Sequence, residues 1–266
     1  MMNLVDEITY VPSGQRCPEC GKEIEYALLP LGVKIPVLCD CLKEKARAER
    51  EETIKRGRER IRDAMRRVAG LTGRLQTYTF DAIKPREGQE RAYNIMRKYA
   101  EGFYGGRDKG VILFGSTGCG KTMLAAAVAN AVIDNTYIDD YVAEQVGSGG
   151  IPPESSPVRM ISTVDMMARI KSRYDSGNAQ EMIGVYQTAR LTILDDVGAE
   201  KPSEWVVERL MEIIDYRYRE MLPIIITTNQ TPAEMEQRLG SRIMDRLCEM
   251  CAQIRITAPS QRRVHN

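Results

Sequence analysis

Short apolar runs rich in β-branched residues punctuate the last two thirds of the chain. Lys109–Phe114, Val158–Ile161, Leu191–Leu194, Pro223–Thr227 and Ala252–Thr257 read as strands. Between them Lys121–Ile133, Val164–Tyr174, Glu204–Glu220 and Pro232–Leu239 carry apolar positions at helical spacing. Such alternation predicts an α/β fold, a parallel sheet with helices on both faces. Ligands of such sheets bind at the carboxyl ends of the strands. Residues 134–157 break the pattern. Asp139-Asp140 opens a polar stretch, and Gly147-Ser148-Gly149-Gly150-Ile151-Pro152-Pro153 suits neither helix nor strand. The segment reads as a mobile surface loop, either a tolerated insertion or a lid.

Upstream, residues 42–74 form a charge-rich helical stretch. Ile54, Ile61, Met65 and Val68 fall near one helical face, and residues 43–74 hold 12 Lys/Arg against 6 Asp/Glu, a balance of +6. It reads as a solvated linker, or as a helix that docks a partner or touches DNA. Residues 1–41 carry four of the seven cysteines. The expected organisation is therefore a cysteine module at 1–41, a basic helical linker at 42–74 and the α/β domain at 75–266, with no internal repeat.

Composition narrows this picture. The 266 residues are 43% hydrophobic, enough for a real core and unlike a disordered chain. A formal net charge of +1 does not by itself announce a nucleic-acid partner. No apolar stretch approaches the roughly 18–20 residues of a membrane-spanning helix. Met1-Met2-Asn3-Leu4-Val5-Asp6-Glu7 has neither the basic start nor the apolar run of a signal peptide, so a cytoplasmic address is expected. In that reducing compartment the cysteines argue against a disulfide framework.

The chemistry gathers at strand ends. Gly115-Ser116-Thr117-Gly118-Cys119-Gly120-Lys121-Thr122 follows the strand Val111–Phe114 and opens a helix, the strand–loop–helix context of an ATP-binding P-loop. Glycines let backbone N–H groups turn toward phosphates, and the helix N-terminus adds partial positive charge. Lys121 is expected on the β- and γ-phosphates, and Thr122 on Mg²⁺. Cys119 reads as a small residue within the loop. Leu191–Leu194 delivers Asp195 and Asp196 at its carboxyl end: Asp195 as the Mg²⁺ partner, Asp196 to orient and deprotonate water. Alone, such a pair is a solvated strand end; behind a P-loop it reads as functional. Asn229, after the apolar run Pro223–Ile226 and Thr227-Thr228, is placed to hold the γ-phosphate or the lytic water. Arg242 and Arg246, four apart on one helix face, are solvated, or one of them reaches a neighbouring subunit's γ-phosphate.

Cys17-Pro18-Glu19-Cys20-Gly21 forms a thiol knuckle, and Cys39-Asp40-Cys41 supplies a second pair. Four thiolates in two pairs suit tetrahedral structural Zn²⁺, although the second pair is C-x-C; free thiols are the alternative. Cys248 and Cys251 read as core residues on a helix, and His265 carries no role.

Taken together, the P-loop, Asp-Asp strand, Asn229 strand and paired arginines resemble an AAA+ ATPase. More closely, Ile193-Leu194-Asp195-Asp196-Val197-Gly198-Ala199-Glu200-Lys201-Pro202-Ser203-Glu204-Trp205, Ile226-Thr227-Thr228-Asn229 and Gly240-Ser241-Arg242-Ile243-Met244-Asp245-Arg246 are similar to bacterial and phage replicative helicase loaders of the DnaC/DnaI type. The resemblance covers about residues 75–266. It implies the AAA+ strand order, assembly into a spiral oligomer and single-stranded DNA in its interior. It implies Asn229 as sensor 1 and Arg246 as arginine finger, with Arg242 a second candidate. Ser260-Gln261-Arg262 resembles a terminal element that would make Arg262 a sensor-2 residue; Gln261 replaces the usual Tyr, and Arg263 is a rival. The helical lid of other AAA+ proteins is expected to be absent. The stretch Val164–Arg190 corresponds to an extra helix shared with replication initiators. Its Lys171, Arg173 and Tyr174 suit a DNA strand, or form a solvated amphipathic helix. DnaI-type loaders use a zinc module to grip the helicase. The implied function is ATP-dependent delivery of a hexameric DnaB-type helicase onto single-stranded DNA. Alternatives are a transposition helper ATPase of the IstB type, which binds double-stranded DNA and a transposase, and a non-hydrolysing ATP-binding adaptor.

Overall fold

The structure, a computed structural model, describes residues 9–29, 32–105, 108–174, 177–199 and 203–260. In chain order it forms β1 (Thr9–Arg16), β2 (Glu23–Leu28), β3 (Lys34–Val37), α1 (Asp40–Ala69), a 3₁₀ turn (Gly73–Thr77), α2 (Glu90–Glu101), β4 (Gly110–Gly115), α3 (Lys121–Asp134) and α4 (Asp140–Gly147). There follow β5 (Val158–Ser162), α5 (Thr163–Ser172), α6 (Ala179–Thr188), β6 (Leu191–Asp195), α7 (Glu204–Arg219), β7 (Ile224–Thr228), α8 (Pro232–Leu239), α9 (Ser241–Met250) and β8 (Cys251–Ile256). Two units emerge: Met1–Arg60 with Ile138–Ile151, and Ile61–Tyr137 with Pro152–Asn266.

In the smaller unit β1, β2 and β3 make an antiparallel sheet in that order. Its strands are too short to bury a core of their own; Cys17 is the one buried position among their described residues and the connecting turns. The segment expected as a surface loop contains α4 instead. Asp139, read from sequence as the start of a polar stretch, is its N-cap: the carboxylate accepts from the N–H groups of Tyr141 and Val142. Glycine then lets α4 lie directly on α1. A Cβ at Gly57 would fall 1.7 Å from the Ala143 carbonyl oxygen, and one at Gly147 would fall 2.0 Å from that of Thr53. Arg50–Glu144 (3.0 Å) and Arg58–Asp140 ion pairs flank the crossing.

The larger unit is built on a five-stranded sheet ordered β5-β6-β7-β4-β8, every neighbour parallel. Apolar residues on both faces of β4, β6 and β7 are buried because helices cover both sides. β4 lies between β7 and β8, while the chain leaves it for the distant edge strand β5. That reversal opens a crevice beyond the carboxyl end of β4. α3, apolar nearly all round, runs behind the crevice as a buried helix. α7 starts on the Ser203 cap, and α8 on a Thr231–Glu234 capping box with Pro232 in the first turn.

Some expectations change. α2 lay unread in the sequence. The stretch 164–190 holds two helices, α5 and α6, rather than one. Cys251 begins β8 and is buried, whereas Cys248 is exposed on α9, so only Cys251 joins the core. Fully buried Arg217 pairs with no described carboxylate. It donates instead to the carbonyls of Tyr186 (3.0 Å), Gln187 (2.9 Å), Ala189 (2.8 Å) and Pro223, tying the end of α6 to the start of β7. Burial lowers its pKa to about 9.

Candidate functional site

β4 ends at Gly115 and α3 begins at Lys121, so the six-peptide link between them is the glycine loop. Gly120 has φ of 103°, a conformation that favours glycine, and a Cβ there would lie 2.5 Å from Gln89 Nε2. Buried Gln89 explains that closeness: its Nε2 donates to the Cys119 carbonyl (2.6 Å), and its Oε1 accepts from the Arg86 N–H (3.1 Å). The loop is thereby pinned from outside. Cys119 is fully buried, as its reading as a packing residue requires. The Lys121 ammonium donates to Asn229 Oδ1 (2.6 Å) and to the carbonyls of Gly115 (2.8 Å) and Ser116 (3.0 Å).

The acidic pair is held as tightly. Thr122 Oγ1 donates to Asp195 Oδ1 (2.8 Å), and Thr227 Oγ1 to the same oxygen (2.6 Å). Thr227 Oγ1 also accepts from the Asp196 N–H (2.9 Å), and Asn229 Nδ2 donates to Asp196 Oδ1 (2.7 Å). Asp196 adopts φ of 56°, unusual for a non-glycine residue, and these bonds hold it there. Burial raises the Asp195 pKa, against the hydroxyls of Thr227 and Thr122. Lys121, Thr122, Asp195, Asp196 and Asn229 thus line one cavity of about 570 Å³ with Gly118 and Gly120 of the loop. The cavity can take a nucleotide triphosphate. Thr122 and Asp195 present adjacent oxygens, the hard donors Mg²⁺ prefers.

The remaining predicted residues are placed differently. Arg246 is turned inward on its own chain, paired with Asp215 at 2.5 Å, its guanidinium 5.6 Å from the Tyr218 ring. Arg242 is exposed. Arg262 lies outside the described residues, with Arg263 and His265. Lys171 and Tyr174 converge on Trp205: the ammonium is 4.8 Å from the indole, and the two rings are 6.1 Å apart.

In the smaller unit the ligand atoms of Cys17, Cys20, Cys39 and Cys41 all lie within 4.8 Å of one another. Sulfurs of a tetrahedral zinc site stand about 3.8 Å apart at Zn–S distances of about 2.3 Å. The four thiols therefore fit a zinc ion. Their proximity also perturbs their acidities. Burial opposes ionisation of Cys17, but the N–H groups of Cys20 and Glu19 outweigh it and bring its pKa down to about 6. The thiols of Cys39, Cys20 and Cys17 push that of Cys41 up. Ionising all four together would require a cation among them.

Residue-by-residue reading missed Thr227, Gln89 and Asn130. Thr227 left a signal, a hydroxyl closing the apolar run Ile224–Ile226 one strand from Asp195. Gln89 and Asn130 left none, because what places them is a carbonyl remote in sequence: Cys119 for Gln89, and Leu75 and Tyr78 for Asn130 of α3.

The sequence signature of the family described as "IstB-like ATP binding protein" matches residues 47–266. The replicative helicase loader DnaI of Bacillus subtilis (strain 168) is 24% identical over 170 residues, covering 59% of this chain and 49% of that protein. The replicative helicase loader DnaC of Escherichia coli (strain K12) is 28% identical over 163 residues, covering 60% and 58%. The chain thus spans about half the length of the curated relatives it matches. A crystal structure of the DnaC helicase loader superposes with a TM-score of 0.58 at 27% identity, over 70% of this chain and all of that one. Among the described residues no helix is long and apolar enough to cross a membrane. With the AAA+ sheet, the phosphate loop and this match across most of its length, the chain belongs to the IstB-like ATP-binding family and is homologous to the DnaC and DnaI helicase loaders.

Proposed function

We propose that the protein is an ATP-dependent loader that delivers a ring-shaped, DnaB-type replicative helicase onto single-stranded DNA. What supports this is the hydrogen-bonded cluster of Lys121, Thr122, Asp195, Asp196 and Asn229 around the phosphate loop of a chain homologous to DnaC and DnaI. Lys121 neutralises the β- and γ-phosphates. Thr122 and Asp195 would hold Mg²⁺, which would supply positive charge against the phosphates. Asp196 takes a proton from a water that Asn229 orients; the water oxygen bonds the γ-phosphorus as the bond from that phosphorus to the β–γ bridging oxygen breaks and ADP leaves. An arginine from the next copy in a spiral completes the site. Arg246 is that residue, released from Asp215 on assembly; Arg242, already exposed, is the second candidate. Such a residue is worth about 10³-fold or more in rate. ATP then acts as an assembly signal, and slow hydrolysis releases the loader. Zn²⁺ on Cys17, Cys20, Cys39 and Cys41 staples the small sheet that grips the helicase. Lys171, Tyr174 and the neighbouring Trp205 face the DNA strand, through charge and stacking.

The test is helicase loading with purified components. The protein should bind the host's replicative helicase and raise the fraction loaded on single-stranded DNA, dependent on ATP. Absence of both effects refutes the proposal. The family's IstB name favours a second reading, a transposition helper. Binding to a transposase and to double-stranded DNA in the same assays would establish it.

A further inference from the structure

We propose that Arg74 is a phosphate-binding residue of the nucleotide site, acting on the nucleotide held by its own chain. This rests on the ATP-site reading and adds a cation from outside the glycine loop. Arg74 lies in the 3₁₀ turn Gly73–Thr77, which buries none of its residues. A turn without a core of its own would wander unless something fixed it. Asn130 of α3, only 1% exposed, does so. Its Nδ2 donates to the carbonyls of Leu75 (2.9 Å) and Tyr78 (2.9 Å), and its Oδ1 accepts from Arg66 Nε (3.2 Å). Thr77 Oγ1 closes the turn on the Arg74 carbonyl (2.9 Å). The backbone of Arg74 is thus clamped to the same helix that the phosphate loop opens.

That clamp sets the Arg74 side chain in the wall of the cavity shared by Lys121, Asp195, Asp196 and Asn229. Arg66, eight residues before Arg74, is paired with Asp63 and Asp134. The exposed Arg74 guanidinium pairs with no carboxylate among the described residues. Charge gives it a task. Lys121 and Arg74 offset Asp195 and Asp196, so the cavity walls are neutral with Arg74 and negative without it, before a polyanion enters. A guanidinium also matches two phosphate oxygens at once.

The experiment measures ATP affinity by calorimetric titration of the full chain, comparing wild type with Arg74→Ala, Arg74→Lys and Lys121→Ala. Arg74→Ala should bind ATP about tenfold more weakly at about 50 mM salt, and the deficit should shrink toward about 500 mM as the charge is screened. Arg74→Lys should recover part of the loss. The nucleotide-free melting temperature of Arg74→Ala should match wild type, because the side chain is exposed. Unchanged ATP affinity overturns the proposal, as does a loss indifferent to salt, which would make Arg74 a steric wall. Lys121→Ala separates the two levels: if it binds ATP normally the site itself is misread, whereas its loss beside a normal Arg74→Ala removes only the role of Arg74.

Discussion

Thr227→Val isolates the bond that joins the two acidic residues. Valine keeps the shape of threonine in a fully buried position and deletes only the hydroxyl. Two interactions vanish together: the bond donated to Asp195 Oδ1 at 2.6 Å and the bond accepted from the Asp196 N–H at 2.9 Å. A hydrogen bond to a charged group is worth about 1.5–3 kcal/mol, and an orphaned buried donor costs about 1–3 kcal/mol. Thr122 still serves Asp195, so about 3 kcal/mol is the expected destabilisation. At about 2–4 °C per kcal/mol for a domain of this size, the melting temperature should fall by roughly 6–12 °C. Function should suffer separately. Asp195 loses a fixed orientation, and Asp196 loses part of what holds its left-handed backbone. More Mg²⁺ should be needed for half-maximal ATP turnover, and turnover at saturating Mg²⁺ should drop by about two orders of magnitude. Thr227→Ser retains the hydroxyl and should stay near wild type in both assays. A Thr227→Val protein that melts within about 1 °C of wild type and hydrolyses ATP with unchanged Mg²⁺ dependence would refute the reasoning.

Other expectations follow from the same geometry. Asp195→Asn should raise the melting temperature at neutral pH while abolishing turnover. Burial raises the folded pKa of this carboxyl, so its ionised form costs stability, a cost that fades as pH falls toward the unfolded value; a variant no more stable than wild type at pH 7 would contradict this. Metal analysis should find about one Zn²⁺ per chain, lost in Cys39→Ser, and chelation should open the β1–β3 sheet to proteolysis; a metal-free protein with that sheet protected would remove the zinc site. Gly57→Val should speed hydrogen exchange across residues 138–151, since its side chain would enter the Ala143 carbonyl; unchanged exchange would show that α4 does not depend on the crossing.

How much was readable in advance depended on how local each interaction is. β4, β6, β7 and α8 were legible because each is set by its own apolar run or cap. α4 was misread because its cap, Asp139, precedes only eight helical residues, and its stability comes from Gly57 and Gly147, 90 positions apart. The glycine loop, Asp195, Asp196 and Asn229 stand at strand ends, where a residue's type and its place in the pattern together declare its chemistry.

By itself, then, the sequence determined the alternation of strands and helices, the phosphate loop and the two thiol pairs, because these follow from nearest-neighbour pattern and from side-chain chemistry. Tertiary structure decided the rest. It turned Arg246 onto Asp215, gathered Lys171 and Tyr174 around Trp205, bonded Thr227 to Asp195, Gln89 to the glycine loop and Asn130 to the 3₁₀ turn, and set Arg74 in the cavity wall. Each of those outcomes depends on a partner far along the chain, often a backbone carbonyl that any residue could have supplied. Only the packed fold selects which one is within reach.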